Sequence, residues 1–417
     1  MKTTLLAWSL LAAAVAAAGA AKDTCLECHS ALEGPLRAPA AGFSSDIHAR
    51  YGFSCSDCHG GDRGTDDMGA SMSRARGFVG KPARAAIPRL CARCHSDANL
   101  MHKYSPQKRV DQYAQYVTSI HGKRVAAGDT GAAVCTDCHG VHGIRQVRDG
   151  LSPVHPLRLP ETCSRCHSDA QHMTRYKIPT NQFAEYRKSV HWDALEKRGD
   201  LSAPSCASCH GNHGATPPGV NSVADVCGTC HVVMENLYNK SPHKAAFAAM
   251  NLGGCVVCHG NHAVLRSSSK MLAGPESVCS QCHEAASPGG LTAARMGDLI
   301  GKLTAALERS DAQLRLASQS GMEVSEALLR GNDARETLVK ARVAVHAFQF
   351  GAVSQPAEEG LKIAAATHQA GQDAMREREH RRLGLGVSLI TIVVTMAALW
   401  RAIRRLEKKP GEGKVDA

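Results

Sequence analysis

Hydrophobic and polar positions divide the chain into a short apolar start, a long cysteine-bearing middle and a periodic end. Residues 5–18 are an alanine-rich apolar run after Lys2. Small residues follow at Ala18-Gly19-Ala20, the pattern of a secretory signal peptide, predicted over 1–21, with an uncleaved anchor as the alternative. Ser287-Pro288-Gly289-Gly290 is a linker or tight turn. Beyond it Leu299, Ile300, Leu303, Leu307 and Leu314 recur at helical spacing among charges. That predicts a helix over 291–318, and further helices are expected over 322–350 and 357–382, broken near Gly331 and at Gln355-Pro356. Together they make a small antiparallel bundle over 291–382, with a partner-recognising coiled coil as the alternative. Residues 383–400 are 18 positions without a charge, bracketed by Arg381-Arg382 and by Arg401, Arg404 and Arg405, with Trp400 at an interfacial place. This is a predicted transmembrane helix rather than a buried core helix. The basic tail, 401–417, is expected on the cytoplasmic side.

The middle of the chain holds all 18 cysteines. They fall in nine C-x-x-C-H motifs: Cys25 with Cys28, Cys55 with Cys58, Cys91 with Cys94, Cys135 with Cys138, Cys163 with Cys166, Cys206 with Cys209, Cys227 with Cys230, Cys255 with Cys258 and Cys279 with Cys282. Two thiols at this spacing can each add to one vinyl group of a single haem, and the following histidine then sits beneath the iron. A disulfide framework or cysteine-rich zinc sites would not need a histidine in that one place nine times. A thioredoxin-like motif would occur once, near a βαβ pattern. The reading is nine covalently attached haems c, with His29, His59, His95, His139, His167, His210, His231, His259 and His283 as proximal ligands.

A repeat organises these motifs. A tract ending in histidine recurs as Ser119-Ile120-His121, Ser189-Val190-His191, Ser241-Pro242-His243 and, more loosely, Ser45-Asp46-Ile47-His48. A motif follows after 6 to 14 residues and, in three copies, continues as H-G-x-H to His142, His213 and His262. The first copy has Gly60-Gly61-Asp62 instead. A second motif completes each unit, so the chain reads as one leading haem at Cys25 plus four two-haem units. The repeat offers seven distal ligands: His48, His121, His142, His191, His213, His243 and His262. Their alternative is a surface histidine bonded to a propionate. His102, His155 and His172 occupy no matching positions. His346 shares an apolar helix face with Val339, Val343 and Phe350, where a histidine is more often a core residue than a ligand. The shortage of distal ligands nevertheless makes it a candidate.

Composition fits a cofactor-built interior. Aromatic residues are only 4% of 417, and nine porphyrins would supply the missing apolar surface. About 30 residues per haem are too few for nine separate domains. The expected fold is therefore a mostly irregular, short-helix multihaem array over 22–290, followed by the all-α region and one transmembrane helix. The formal charge of +11 does not indicate nucleic acid. Roughly 18 propionate charges against about nine oxidised irons bring the holoprotein to about +2.

The two-haem units resemble those of periplasmic multihaem cytochromes, the cytochrome c3-like proteins and the decahaem conduits, over about residues 25–283. The resemblance implies electron transfer through closely packed haems with mostly bis-histidine ligation, in a chain matured by the cytochrome c machinery. The expectation is a carrier on the periplasmic face of a bacterial inner membrane. It would link a quinol-oxidising or cytochrome b-type membrane subunit to periplasmic redox proteins or outer acceptors. The rival expectation is a multihaem oxidoreductase acting on a small nitrogen or sulfur compound at an open-site haem. Against that rival, no C-x-x-C-K site is present.

Overall fold

The computed structural model describes residues 23–217, 219–220 and 222–407. The expected signal peptide, 1–21, and the lysines of the tail at 408, 409 and 414 lie outside the described residues. Among the described residues every regular element is helical. The chain divides into two compact units: residues up to 223 with 262–264, and residues 224–261 with 265–417. Six motifs, from Cys25 to Cys206, belong to the first unit, and those at Cys227, Cys255 and Cys279 belong to the second.

The first unit is built from helices of three to nine residues joined by turns. Its buried apolar cluster is small: Val125, Ala132 and Val134, with Ile87 packed against them. So little buried apolar area cannot offset the entropy of ordering some two hundred residues. What the side chains lack, a set of large apolar cofactors would provide.

The second unit carries three long helices, α1 (Pro288–Gln319), α2 (Ser325–Ala344) and α3 (Phe350–Glu407). Buried positions on α1 include Ala293, Met296, Ile300, Leu303, Leu307, Ser310, Leu314 and Ala317, alternating by three and four, with Gly297 buried beside them. On α3 they are Val353, Ala357, Gly360, Ala364, Thr367, Gly371 and Ala374, in the same alternation. This is the seam of heptad packing. Large residues come from α1, and small ones from α2 and α3. A Cβ on Gly360 would lie 2.1 Å from Thr337 Oγ1 and 3.0 Å from the Leu303 methyls, so those side chains fill the space a larger residue would need. Ser310 and Thr367 satisfy each other inside the seam at 2.7 Å.

Two expected breaks are bridged. α2 runs through Gly331, which is buried in its packed face. α3 runs through Pro356, in its second turn. One lost N–H bond so near the helix start is outweighed by the packing of Val353 and Ala357. The break comes instead at 345–349, where Phe348 adopts φ 54°. His346 therefore sits in the turn Val345–Ala347, not inside a helix. α3 continues without interruption into 383–400. That segment is wholly exposed, and its 18-residue window has a mean hydropathy of 2.1, long and apolar enough to cross a membrane.

Candidate haem-binding sites

In C-x-x-C-H the two cysteines and the histidine occupy i, i+3 and i+4, so one helical turn places all three on one side. The structure forms that turn at Cys55–His59, Cys135–His139 and Cys206–His210. Cys163, Cys166 and His167 lie together at the end of the longer helix Leu159–His167. Two motifs in the second unit depart from the α-turn. Cys227 lies in the 3₁₀ segment Val223–Thr229, with Cys230 just beyond it, and Cys279 opens the 3₁₀ turn Cys279–Gln281, with Cys282 as its C-cap. Even there the N–H of His231 donates to the Cys227 carbonyl and that of His283 to Cys279, each at 2.9 Å, so a single i to i+4 bond closes the motif.

The residues between the cysteines help to hold the turn. Asp57 accepts from the N–H of Ser54 at 2.6 Å, and Asp137 from that of Val134 at 2.7 Å. Gly60, Gly140, Gly211 and Gly260, directly after the histidine, have φ of 70°, 81°, 77° and 71°. That left-handed turn swings the chain away from its own motif, and the next histidine with it. All 18 cysteines are free of disulfides. The second thiols Cys28, Cys58, Cys166, Cys230 and Cys282 are exposed, while Cys94, Cys138, Cys209 and Cys258 are half-buried. Each is thus open to attachment of a macrocycle from the surface.

Three of the tract histidines are placed by caps. Ser119 accepts from Gly122 N–H and Ser189 from Trp192 N–H, each capping the short helix whose second residue is His121 or His191. In the first copy the cap is Asp46, which accepts from His48 N–H. Serine and aspartate are interchangeable N-caps, which explains why that copy departs from the serine pattern. Asp46 is buried, and its Oδ1 also holds His48 Nδ1 at 2.8 Å while Oδ2 accepts from Ile144 N–H at 2.8 Å. Burial alone would raise its pKa, but these bonds outweigh it and hold the carboxyl below its ordinary value.

These local devices bring the rings into opposed pairs. His48 faces His95, His59 faces His142, His121 faces His167, His139 faces His213 and His210 faces His262 in the first unit. In the second, His243 faces His283 and His259 faces His346. The centroids are 5.9–6.2 Å apart in all seven. Each pair joins one motif histidine to one histidine outside the motifs. An imidazole nitrogen binds a first-row metal at about 2.0–2.1 Å, so two rings on one iron have centroids roughly 6 Å apart. The spacing is too wide for ring stacking alone and fits an atom between.

Ring nitrogens are prepared for this. Nδ1 of His59 bonds the Gly80 carbonyl at 2.7 Å, Nδ1 of His29 that of Leu36 at 2.9 Å, and Nδ1 of His346 that of Val343 at 2.9 Å. With Nδ1 carrying the proton, Nε2 is left as the ligating lone pair. Burial pushes the pKa of His95, His121, His142, His167, His210, His213, His243 and His259 down. For His139 burial, with His213 and His95 beside it, brings it to about 4. The neutral ring is the form that binds metal. His243 Nδ1 is buried without a partner.

Motifs adjacent in sequence are also adjacent within each unit. The helix Thr24–Ala31 packs on Cys55–His59. The thiols of the first cysteines are hydrogen-bonded in pairs, Cys91 with Cys135, Cys163 with Cys206 and Cys227 with Cys255. Between these, Arg93 donates to the Cys58 carbonyl at 2.6 Å and Arg165 to that of Asp137 at 3.4 Å. Arg84 clamps Asp137 at 2.5 Å and the Ala132 carbonyl at 2.8 Å. No local pattern singles out these arginines, whose partners lie 28 to 53 positions away.

Residues 47–168 match the family model described as cytochrome c3. That segment of the chain belongs to a multihaem c-type cytochrome family. The matched part of the chain contains the four motifs from Cys55 to His167. Family membership of that part implies covalently bound haem c. No curated protein and no solved structure matches the chain. The remaining histidines of the chain are dispersed. His155 is buried and accepts from Leu157 N–H at 3.3 Å, His172 lies against Tyr176, and His368 contacts Gln372. His191 occupies the second position of Val190–Trp192 and is half-buried.

Proposed function

We propose that this chain carries nine haems c and passes electrons along them, anchored in a membrane by residues 383–400. The observation that carries this reading is the set of seven opposed imidazole pairs, each combining a motif and a non-motif histidine at the span of one iron. The cysteine pairs would hold each macrocycle, the motif histidines the near face, and His48, His121, His142, His213, His243, His262 and His346 the far face. Bound haem supplies reversible one-electron chemistry. The chain's part is to close both axial positions at these seven sites, so that they exchange electrons and not substrate atoms. It also keeps successive sites in contact through the paired cysteines and the arginines between motifs.

Two rules of ligation emerge. A tract histidine serves the second motif of its own unit, as His48 with His95, His121 with His167 and His243 with His283. An H-G-x-H histidine reaches back to the first motif of the preceding unit, as His142 with His59, His213 with His139 and His262 with His210. His191 holds the tract position of its unit. At the end of the array no further unit exists, and His346 stands where the next reach-back histidine would be.

The array would face the periplasm, with the basic tail in the cytoplasm. From Phe350, beside the His346 turn, to the apolar run at 383 the helix α3 covers 33 residues, about 50 Å at 1.5 Å per residue. The His259–His346 pair would therefore stand well clear of the bilayer. Its electron donor would be a quinol-oxidising or cytochrome b-type partner that itself projects from the membrane, and its acceptors periplasmic redox proteins.

Pyridine haemochrome analysis of the purified full chain should return nine haems per polypeptide, and electron paramagnetic resonance of the oxidised protein should be dominated by low-spin signals. Three or four haems per chain would end this reading.

A further inference from the structure

His29 is prepared like His59, with Nδ1 on a backbone carbonyl, here that of Leu36, yet among the described residues of its unit no imidazole is placed opposite it. The two ligation rules explain why. The leading motif precedes the first tract, so only the reach-back rule can serve it, and the residue that would do so is the fourth of His59-Gly60-Gly61-Asp62. There, at the position of His142, His213 and His262, stands Asp62.

The segment is nonetheless delivered to the leading site. Thr24, directly before Cys25, donates its N–H to the Arg63 carbonyl at 3.0 Å. Its hydroxyl contacts the carbonyls of Arg63 at 2.9 Å and Thr65 at 2.8 Å. Asp62 itself is turned to other work. Its carboxylate pairs with Arg76 and accepts from Gly64 N–H at 2.8 Å. Around the motif, Cys28 and residues 30–38 are exposed, so small molecules reach this turn from solvent.

We infer that the haem held by Cys25, Cys28 and His29 keeps its far axial position for a small exogenous ligand of the π-acceptor class, because Asp62 replaces the histidine that closes the equivalent sites. This rests on the haem-array reading. It makes the N-terminal end of the array a place where an electron meets a bound molecule, while the paired sites serve as conductors.

Carbon monoxide is the probe, titrated into the dithionite-reduced full chain and followed in the Soret band. The expected result is one carbon monoxide per nine haems and one high-spin ferric signal per chain in the oxidised protein. Asp62→His should install the missing imidazole. The haem count should stay at nine, the high-spin signal should convert to low-spin, and carbon monoxide binding should be lost. Asp62→Asn, which also breaks the Arg76 pair, should still bind one. If Asp62→His misassembles, Cys25→Ala combined with Cys28→Ala is the second variant, expected to hold eight haems and bind none. Overturning results are a wild type with nine haems that binds no carbon monoxide, a nine-haem Asp62→His protein that binds it as before, or an eight-haem protein that still does. A wild-type count far from nine would instead remove the array reading itself, which separates the two failures.

Discussion

An axial histidine has to be aimed as well as present, and the aiming is done by neighbours two or three residues away. Asp46 both caps the helix that starts at Ile47 and holds His48 Nδ1, while tying the tract to Ile144 beyond the reach-back histidine His142. A carboxylate on the distal nitrogen raises ligand basicity and favours the ferric state. Asp46→Asn keeps the shape and removes the charge. The potential of the haem at Cys91 should rise in a spectroelectrochemical titration, with the other sites unchanged. Stability to denaturant should fall by about 1–3 kcal/mol for the impaired buried bonds. An unaltered potential would mean that His48 is not a ligand or that Asp46 does not tune it. The histidines themselves were legible as candidates from the repeat. Asp46 was not, because aligning the serines places the cap one residue early, whereas the physics of capping accepts aspartate at the same point.

Two kinds of element deliver the rings that face the motif histidines, and they set different ring planes. Tract histidines, at the second residue of a short helix, cross their partners at 84°, 63° and 71°. Reach-back histidines lie nearly parallel to theirs, at 23°, 4° and 20°, and His346 follows them at 21°. Parallel imidazole planes lift the near-degeneracy of two iron d orbitals and give a rhombic low-spin spectrum. Crossed planes leave the orbitals close in energy and give one very large g value. Oxidised protein should therefore show both low-spin classes, in a ratio near four to three among the seven paired sites. A single class would contradict the placement of the rings. Nothing in the sequence foretold this division. Partners are 40 to 87 positions apart, and local patterns carry no information on how a distant ring is rotated. The same limit applied to the helices: the helical spacing of large apolar residues on α1 was readable, but the seam of small residues on α3 was not, and whether Gly331 or Pro356 would break a helix depended on packing partners from other helices.

At the scale of the molecule, the long helices have two separable roles, and truncation can part them. The bundle seam ends with Ala317 on α1 and Ala374 on α3, before the exposed apolar stretch begins. A chain ending after residue 382 retains every buried heptad position and the His346 turn. It should keep its full haem content and low-spin spectrum while moving from the membrane fraction to the soluble fraction. A chain ending after 290 loses nearly all of α1 together with α2, α3 and His346, and with them the ring opposite His259. It should show one additional high-spin haem per chain and one additional carbon monoxide site. His346→Met in the full chain separates ligand loss from loss of the bundle, because thioether ligation should raise one potential while the fold stays intact. If all three proteins share the wild-type spectrum, the bundle is only a support. If the His346→Met variant, with its bundle whole, shifts one haem, the helices proposed to anchor this array also complete it.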